Sequence, residues 1–275
     1  MLVSSVVGKD GDTALVVYPA VVVGDIVGRV PEVDRSRCDG GVGSWAVEAL
    51  ARTGVGNLTL IDYDTVSLGN MNRQLPALTE TVNRKKFAVL QQRIAQINPH
   101  CHCHVIDDFL TLENLADYLA PTRHYSYVID AIDSIKFKAA MIYQCKRNKI
   151  PIVTTGAAGG LCDPTHIQVK DLSKTYNDPL AARVRGRLRS DYGFSKNARR
   201  NFGVECVFSG QQQLYPKPDG SVSHQKPGIH GISLDCSMGY GSATFVTASF
   251  GFIAASRAVN KTLKKVMGDK HPPGV

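Results

Sequence analysis

Apolar positions along the chain switch repeatedly between a helical period and short runs of strand length. GSWAVEALARTGVG (43–56) has the helical period and closes on glycine, LTLID (58–62) is a continuous apolar run, and RKKFAVLQQRIAQINP (84–99) is helical until Asn-Pro halts it. HCHCHVID (100–107) alternates as a strand does, and TLENLADYLA (111–120) follows as a helix with Thr111 as its cap. YSYVIDAID (125–133) reads as a strand, IKFKAAMIYQCKRN (135–148) as a helix and PIVTTGA (151–157) as a strand. Strand and helix in alternation predict an α/β fold, with a mainly parallel sheet covered on both faces.

After about residue 160 the rhythm changes. THIQVKDLSKT (165–175) reads as a strand that leaves the sheet, LAARVRGRLRSDYGFSKNARR (180–200) as a basic helix and loop, and VECVFS (204–209) as another strand. A Gly- and Pro-rich stretch then leads to MGYGSATFVTASFGFIAA (238–255), which carries no charge. That run has about the minimum length of a membrane span, but Gly, Ser, Thr and Ala dominate it, so a buried helix packed closely on the sheet or on a second copy is expected. No clean linker separates this region, which predicts an elaboration of one domain with a C-terminal helix over about 238–259.

Composition narrows the class. A chain of 275 residues, 43% hydrophobic and 20% charged, suffices for a large core, and 32 Lys and Arg against 24 Asp and Glu give a net charge of +8. That balance favours an anionic partner without identifying it. The seven cysteines are scattered with no C-x-x-C pair, which argues for a reducing compartment and against a paired-cysteine zinc site. The first residues, MLVSSVVGKDGD, lack the basic and apolar regions of a secretory signal. A soluble, cytoplasmic protein is expected, without membrane contact and without zinc.

Candidate chemistry begins at CDGGVG (38–43). In G-x-G-x-x-G the glycines let backbone N–H groups at a helix N-terminus approach phosphate. Gly40 and Gly43 fill the second and third positions here, with Gly41 between them, but Cys38 holds the first. Asp62 ends a strand at about the distance where an acidic side chain meets a ribose hydroxyl. Asn70, Arg73 and Lys86 follow that strand, and Asp130 and Asp133 lie at or just beyond the end of the next parallel one. In an open parallel sheet the ligand crevice lies at the C-terminal ends of the strands, so a Rossmann-like nucleotide site is expected there. Arg and Lys suit phosphate oxygens, and a carboxylate suits magnesium.

GGVGSWAVEALARTGVGNLTLIDYDTV (40–66), N-x-N-R-Q (70–74) and VIDAIDS (128–134) resemble the adenylating domain of the ubiquitin-activating-enzyme-like superfamily, of the ThiF and MoeB type. The longer run 125–160, with DPTHIQVKDLSKTYNDPLAARVR (163–185) and GVECVFS (203–209), resembles its tRNA threonylcarbamoyladenosine dehydratase branch, and the likeness extends from Gly40 to about Val259. The resemblance implies ATP and Mg²⁺ as cofactors and tRNA bearing threonylcarbamoyladenosine as substrate. It implies a homodimer, associated with mitochondria in a eukaryote. By the same resemblance Asp62 contacts the ribose, Arg73 and Lys86 contact phosphates with Asn70 beside them, Asp133 holds magnesium and Asp130 supports it. The implied activity is ATP-dependent dehydration of the modified adenosine next to the anticodon. Adenylation of a sulfur-carrier or ubiquitin-like protein is the enzymatic alternative, and a non-catalytic dimer partner is the binding alternative.

Several features lie outside that frame. Arg183, Arg185, Arg187, Arg189, Lys196, Arg199 and Arg200 are enough for several RNA phosphates, although the first four spread around a helix. His100, His102 and His104 mimic a metal tract, yet on a strand they share one face and the cysteines the other. Cys206 and Cys236 are candidate thiols with no base near them in sequence. The family expects an apolar strand running straight into the glycines, where this chain has Asp34, Arg35, Ser36 and Arg37. Residues 1–39 are therefore read as a divergent segment, explained by an altered reading frame or exon choice, and residues 40–275 as the adenylating domain. Within 14–30, ALVVYPAVVVGDIVGRV offers a replacement strand through a longer loop.

Overall fold

The computed structural model describes residues 20–23, 41–217, 221–225 and 241–267. Seven strands form the main sheet: β1 (Ala20–Val23), β2 (Asn57–Ile61), β3 (His102–Ile106), β4 (Tyr127–Asp130), β5 (Ile152–Thr155), β6 (Ile167–Asp171) and β7 (Glu205–Ser209). Their order is β3-β2-β1-β4-β5-β7-β6, and every neighbouring pair is parallel except β6 with β7. A two-stranded ribbon, β8 (Tyr215–Pro216) with β9 (Val222–Ser223), stands apart.

The replacement strand is where the sheet needs it. β1 lies between β2 and β4, with Val22 opposite both Leu60 and Ile129. β4 and β5 are buried at every position, as expected of strands covered on both faces.

Helices α1 (Gly41–Arg52), α2 (Lys86–Ile97) and α6 (Thr244–Met267) enclose one core, containing Leu50, Leu60, Ile94 and Phe250. Helices α3 (Leu112–Tyr118), α4 (Ile135–Arg147) and α5 (Pro179–Asp191) enclose the other, around Val128, Met141, Val184 and Phe208. Thr111 does cap α3, its hydroxyl accepting from the Asn114 N–H at 3.1 Å.

The segment expected to leave the sheet remains in it. β6 pairs antiparallel with β7 as the outer strand, Val169 opposite Val207. A parallel return needs a crossover of about a dozen residues, usually helical. The link after Thr155 contains only a short 3₁₀ turn at Pro164–His166, so the chain runs back antiparallel and α5 then carries it into β7.

The C-terminal helix extends beyond its apolar run, to Met267. Arg257 and Lys261 on that extension both bind Glu205 of β7, at 2.7 and 3.1 Å. The part of the apolar run before residue 241 lies outside the described residues. Gly251 explains the small-residue composition: a Cβ there would stand 2.6 Å from the Val42 carbonyl oxygen and 2.7 Å from the Trp45 Cβ. Helices α1 and α6 therefore touch backbone to backbone, and no described helix is long and apolar enough to cross a membrane.

Candidate nucleotide site

The sheet order reverses at β1: the chain goes from β1 outward through β2 to β3, then returns to β4 on the other side of β1. That reversal opens a crevice at the C-terminal ends of β1 and β4, where open α/β sheets bind ligands. Helix α1 begins in this region with Gly41 and Gly43, both buried, and the first N–H groups of a helix have no partner within the helix itself. Gly40 and Cys38 lie outside the described residues.

Residues 64–86 leave the end of β2 and fold back over the start of α1. The Arg73 carbonyl oxygen accepts from Trp45 Nε1 at 3.0 Å and from the Thr247 hydroxyl at 3.2 Å. A Cβ on Gly41 would stand 3.0 Å from that same oxygen, so glycine permits the close approach. Ser44 fixes the chain two residues further on, its hydroxyl accepting from the Leu75 N–H at 3.3 Å.

Several polar side chains of this loop are buried and held. Arg73 is 3% exposed and donates from Nη1 to the Gly69 carbonyl at 2.6 Å and to Asn72 Oδ1 at 2.9 Å. Asn70 accepts the Ser67 N–H on its Oδ1 at 3.0 Å. Asp62, at the end of β2, accepts the Asp64 N–H at 2.9 Å, which makes the Asp62-Tyr63-Asp64 turn. Lys86 Nζ reaches back to Asp64 Oδ2 at 3.0 Å, with both side chains largely buried. Burial raises the Asp64 carboxyl above its usual value despite the Lys86 ammonium that opposes this. Asp133 follows β4 on the same edge and is half-buried.

Asp130 is fully buried, as a supporting residue should be, but its partners were not legible. Its Oδ2 accepts from Lys138 Nζ at 3.0 Å and from the Thr154 hydroxyl at 2.6 Å, and its Oδ1 accepts the Ile132 N–H at 3.1 Å. This ion pair ties β4, α4 and β5 together directly beneath the Asp133 turn. Lys138 and Asp64 are the two site-supporting residues missed in the sequence. The available signals were a lysine within the apolar face of IKFKAAMI and a second carboxylate two residues after Asp62.

Both Asp130 oxygens accept hydrogen bonds within the protein, and no group of three or more His, Cys, Asp or Glu side chains suited to a metal occurs among the described residues. Mg²⁺ often binds through one or two carboxylates together with substrate phosphates, and Asp133 fits that minimal requirement.

The remaining candidates separate. His102 and His104 are exposed on edge strand β3 while Cys103 packs inward, so no histidine–cysteine cluster forms. Cys206 is fully buried, and burial holds its thiol well above the usual range, so it is structural rather than a reactive thiolate. Cys236 lies outside the described residues. Arg183, Lys196, Arg199 and Arg200 are exposed. Arg187 pairs with Asp191, and Arg189 lies over the Phe202 ring, so the basic stretch is not one uniform face.

Comparison with known proteins identifies the family. Residues 39–273 match the ThiF family. The tRNA threonylcarbamoyladenosine dehydratase of Escherichia coli (strain K12) is 55% identical over 227 residues, covering 82% of this chain and 84% of that protein. The protein of the same name from Haemophilus influenzae is 51% identical over 226 residues, covering 82% and 84%. The crystal structure of E. coli tRNA N6-threonylcarbamoyladenosine dehydratase, TcdA, in complex with ATP superposes with a TM-score of 0.72 at 50% identity, covering 85% of this chain and 86% of that one.

Proposed function

Because the chain belongs to the ThiF family, we propose that it is an ATP-dependent tRNA threonylcarbamoyladenosine dehydratase, acting on the modified adenosine next to the anticodon. The likeness to the ATP-bound E. coli dehydratase, at 50% identity over most of both chains, carries this reading. A tRNA substrate suits a cytoplasmic protein with a net charge of +8.

The chemistry follows from a poor leaving group. A carboxylate oxygen of the threonylcarbamoyl group attacks the α-phosphorus of ATP, and pyrophosphate departs. A nitrogen of the same side chain then attacks the activated acyl carbon, AMP leaves with the carboxylate oxygen, and the nucleoside has lost one water. Ring closure is intramolecular, so orientation supplies much of the acceleration and no protein nucleophile is required. In this assignment Asp62 holds the ribose and the α1 N-terminus at Gly41 and Gly43 faces phosphate. Arg73 and Lys86 stabilise the charge that develops on the phosphates, with Asn70 shaping the loop between them. Asp133 would hold magnesium, which neutralises phosphate charge when bound. Residues 40–275 form the adenylating unit in this proposal, and β1 completes its sheet.

A homodimer is part of the same proposal. Phe245 and Phe252 of α6 are 54% and 44% exposed, a large apolar area for one helix.

The test combines purified protein, ATP, Mg²⁺ and tRNA bearing threonylcarbamoyladenosine, following AMP and the nucleoside mass. AMP release with loss of one water is expected. Arg73→Ala and Lys86→Ala should each lower kcat by about 10²–10³-fold while tRNA binding persists. AMP release with a Gly-Gly-ended carrier but not with tRNA would assign carrier adenylation. ATP binding failing in folded protein that pairs with an intact homologue would assign a non-catalytic partner.

A further inference from the structure

Beside the nucleotide crevice, on the same edge of the sheet, lies a cleft of about 360 Å³ lined by Asn177, Asp178, Arg185, Gln212, Gln213 and His224, with Pro179, Ala182 and Tyr215 completing its walls. None of these residues takes part in the nucleotide assignment. The cleft is built by the chain leaving β5 and β7. Asp178 caps α5, accepting the Ala181 N–H at 2.8 Å, and its other oxygen accepts the Ala157 N–H just beyond β5 at 3.0 Å. Gly156 must lack a side chain here, because a Cβ would stand 1.8 Å from Asp178 Oδ2. The opposite wall is held by the Tyr215 hydroxyl donating to Gln213 Oε1 at 2.9 Å, and by His224 Nδ1 lying 3.1 Å from the Gln213 carbonyl.

We propose that this cleft receives the purine of the modified adenosine while its carboxylate reaches the phosphate edge at β4; the inference rests on the dehydratase reading. The lining has the chemistry of base recognition. Of its three carboxamides, Asn177 already donates to the Gly210 carbonyl at 2.9 Å and Gln213 accepts from Tyr215. The exposed Gln212 therefore carries most of the capacity for a base edge, with the Asn177 oxygen and the Gln213 amide beside it, and the exposed His224 ring offers a stacking face. Arg185 makes one hydrogen bond among the described residues, to the Thr175 hydroxyl, and its other N–H groups can meet a backbone phosphate. Both Asp178 oxygens already accept backbone N–H groups, from Ala181 and Ala157.

Scale supports the placement. The volume falls at the small end of ligand clefts, which span about 300–1,000 Å³. Two strand spacings separate the end of β7 from that of β4, roughly 10 Å. From the purine N6 through the carbamoyl carbon, nitrogen and α-carbon to the carboxyl carbon are four bonds, about 5 Å extended. The ring's own width covers most of the rest, so one nucleoside spans both sites.

Two variants test this on full-length protein. Ala182→Trp fills the cleft from an exposed position on α5, and Gln212→Ala removes an exposed carboxamide, so neither touches the core. Each is assayed with tRNA bearing threonylcarbamoyladenosine for kcat/KM and for the KM of ATP, and with unmodified tRNA for binding. The expected result is a loss of about tenfold or more in kcat/KM for modified tRNA with Ala182→Trp and about fivefold with Gln212→Ala. The KM for ATP and the binding of unmodified tRNA stay within about twofold. Unchanged kcat/KM in Gln212→Ala, or an equal rise in the KM for ATP, overturns the assignment while leaving the dehydratase reading intact. Wild-type protein that releases no AMP and removes no water overturns both.

Discussion

Asp64 shows how a single residue couples position to pH. It is buried beside Lys86 and its carboxyl is raised above the usual aspartate value chiefly by that burial. The ionised form is the one that holds the Lys86 ammonium in place. As pH falls through the raised pKa the carboxylate takes up a proton, the pair is lost, and Lys86 is no longer oriented. The acid limb of kcat/KM should therefore lie above the ordinary aspartate value of 3.8. Asp64→Asn should flatten that limb and lower kcat/KM by about tenfold at neutral pH, measured as a pH profile. Asp62 and Lys86 could be located in the sequence because each lies at a strand or helix end, where chain direction fixes location, whereas Arg73, in the loop between them, rested on the N-x-N-R-Q resemblance. Lys138 interrupts the apolar face of IKFKAAMI, but its partners Asp130 and Thr154 are distant in the chain and only the fold sets them opposite it.

At the scale of elements, two packings carry the architecture. Helices α1 and α6 meet at Gly251, where any Cβ would overlap the α1 backbone. Gly251→Val should force the helices apart and cost about 1–3 kcal/mol, read from chemical denaturation, with a parallel loss of ATP affinity because Thr247 on α6 supports the Arg73 carbonyl. Strand β1 is the second. It supplies partners to both β2 and β4, so a protein lacking residues 1–39 leaves two parallel strands without their common neighbour. That truncation should abolish cooperative unfolding, measured by calorimetry. The strands β2 to β5 and helices α1 to α4 were legible from local pattern, because the helices bury one stripe and the inner strands, covered on both faces, read as short continuous apolar runs. β6 was misplaced because apolar spacing records that a segment is extended, not which neighbour it will pair with.

The whole molecule presents one working edge, with the nucleotide crevice at β1 and β4 and the amide-lined cleft at β5 and β7. The exposed Phe252 of α6 packs edge-to-face on Trp45 of α1 at 5.9 Å, and Phe245 lies two turns away. If this surface joins two copies, Phe252→Glu should shift sedimentation from dimer to monomer. Phe252 lies at an exposed position, so the variant should change the melting temperature of the monomer little.

The amino-acid sequence by itself determined the layered α/β class and the order of most elements, because these depend on short-range periodicity and on strand ends that the chain marks locally, and it marked the residues proposed to face phosphate. Tertiary structure decided that Ala20–Val23, within the stretch 14–30 that the sequence offered, lies between β2 and β4, that β6 runs antiparallel at the edge, and that Lys138, Thr154 and Asp130 form one buried group. It also decided that Asn177, Arg185, Gln213 and His224 share a cleft. Such groupings arise from contacts between residues far apart in the chain, where the energy of pairing is set by what is opposite rather than by what is adjacent.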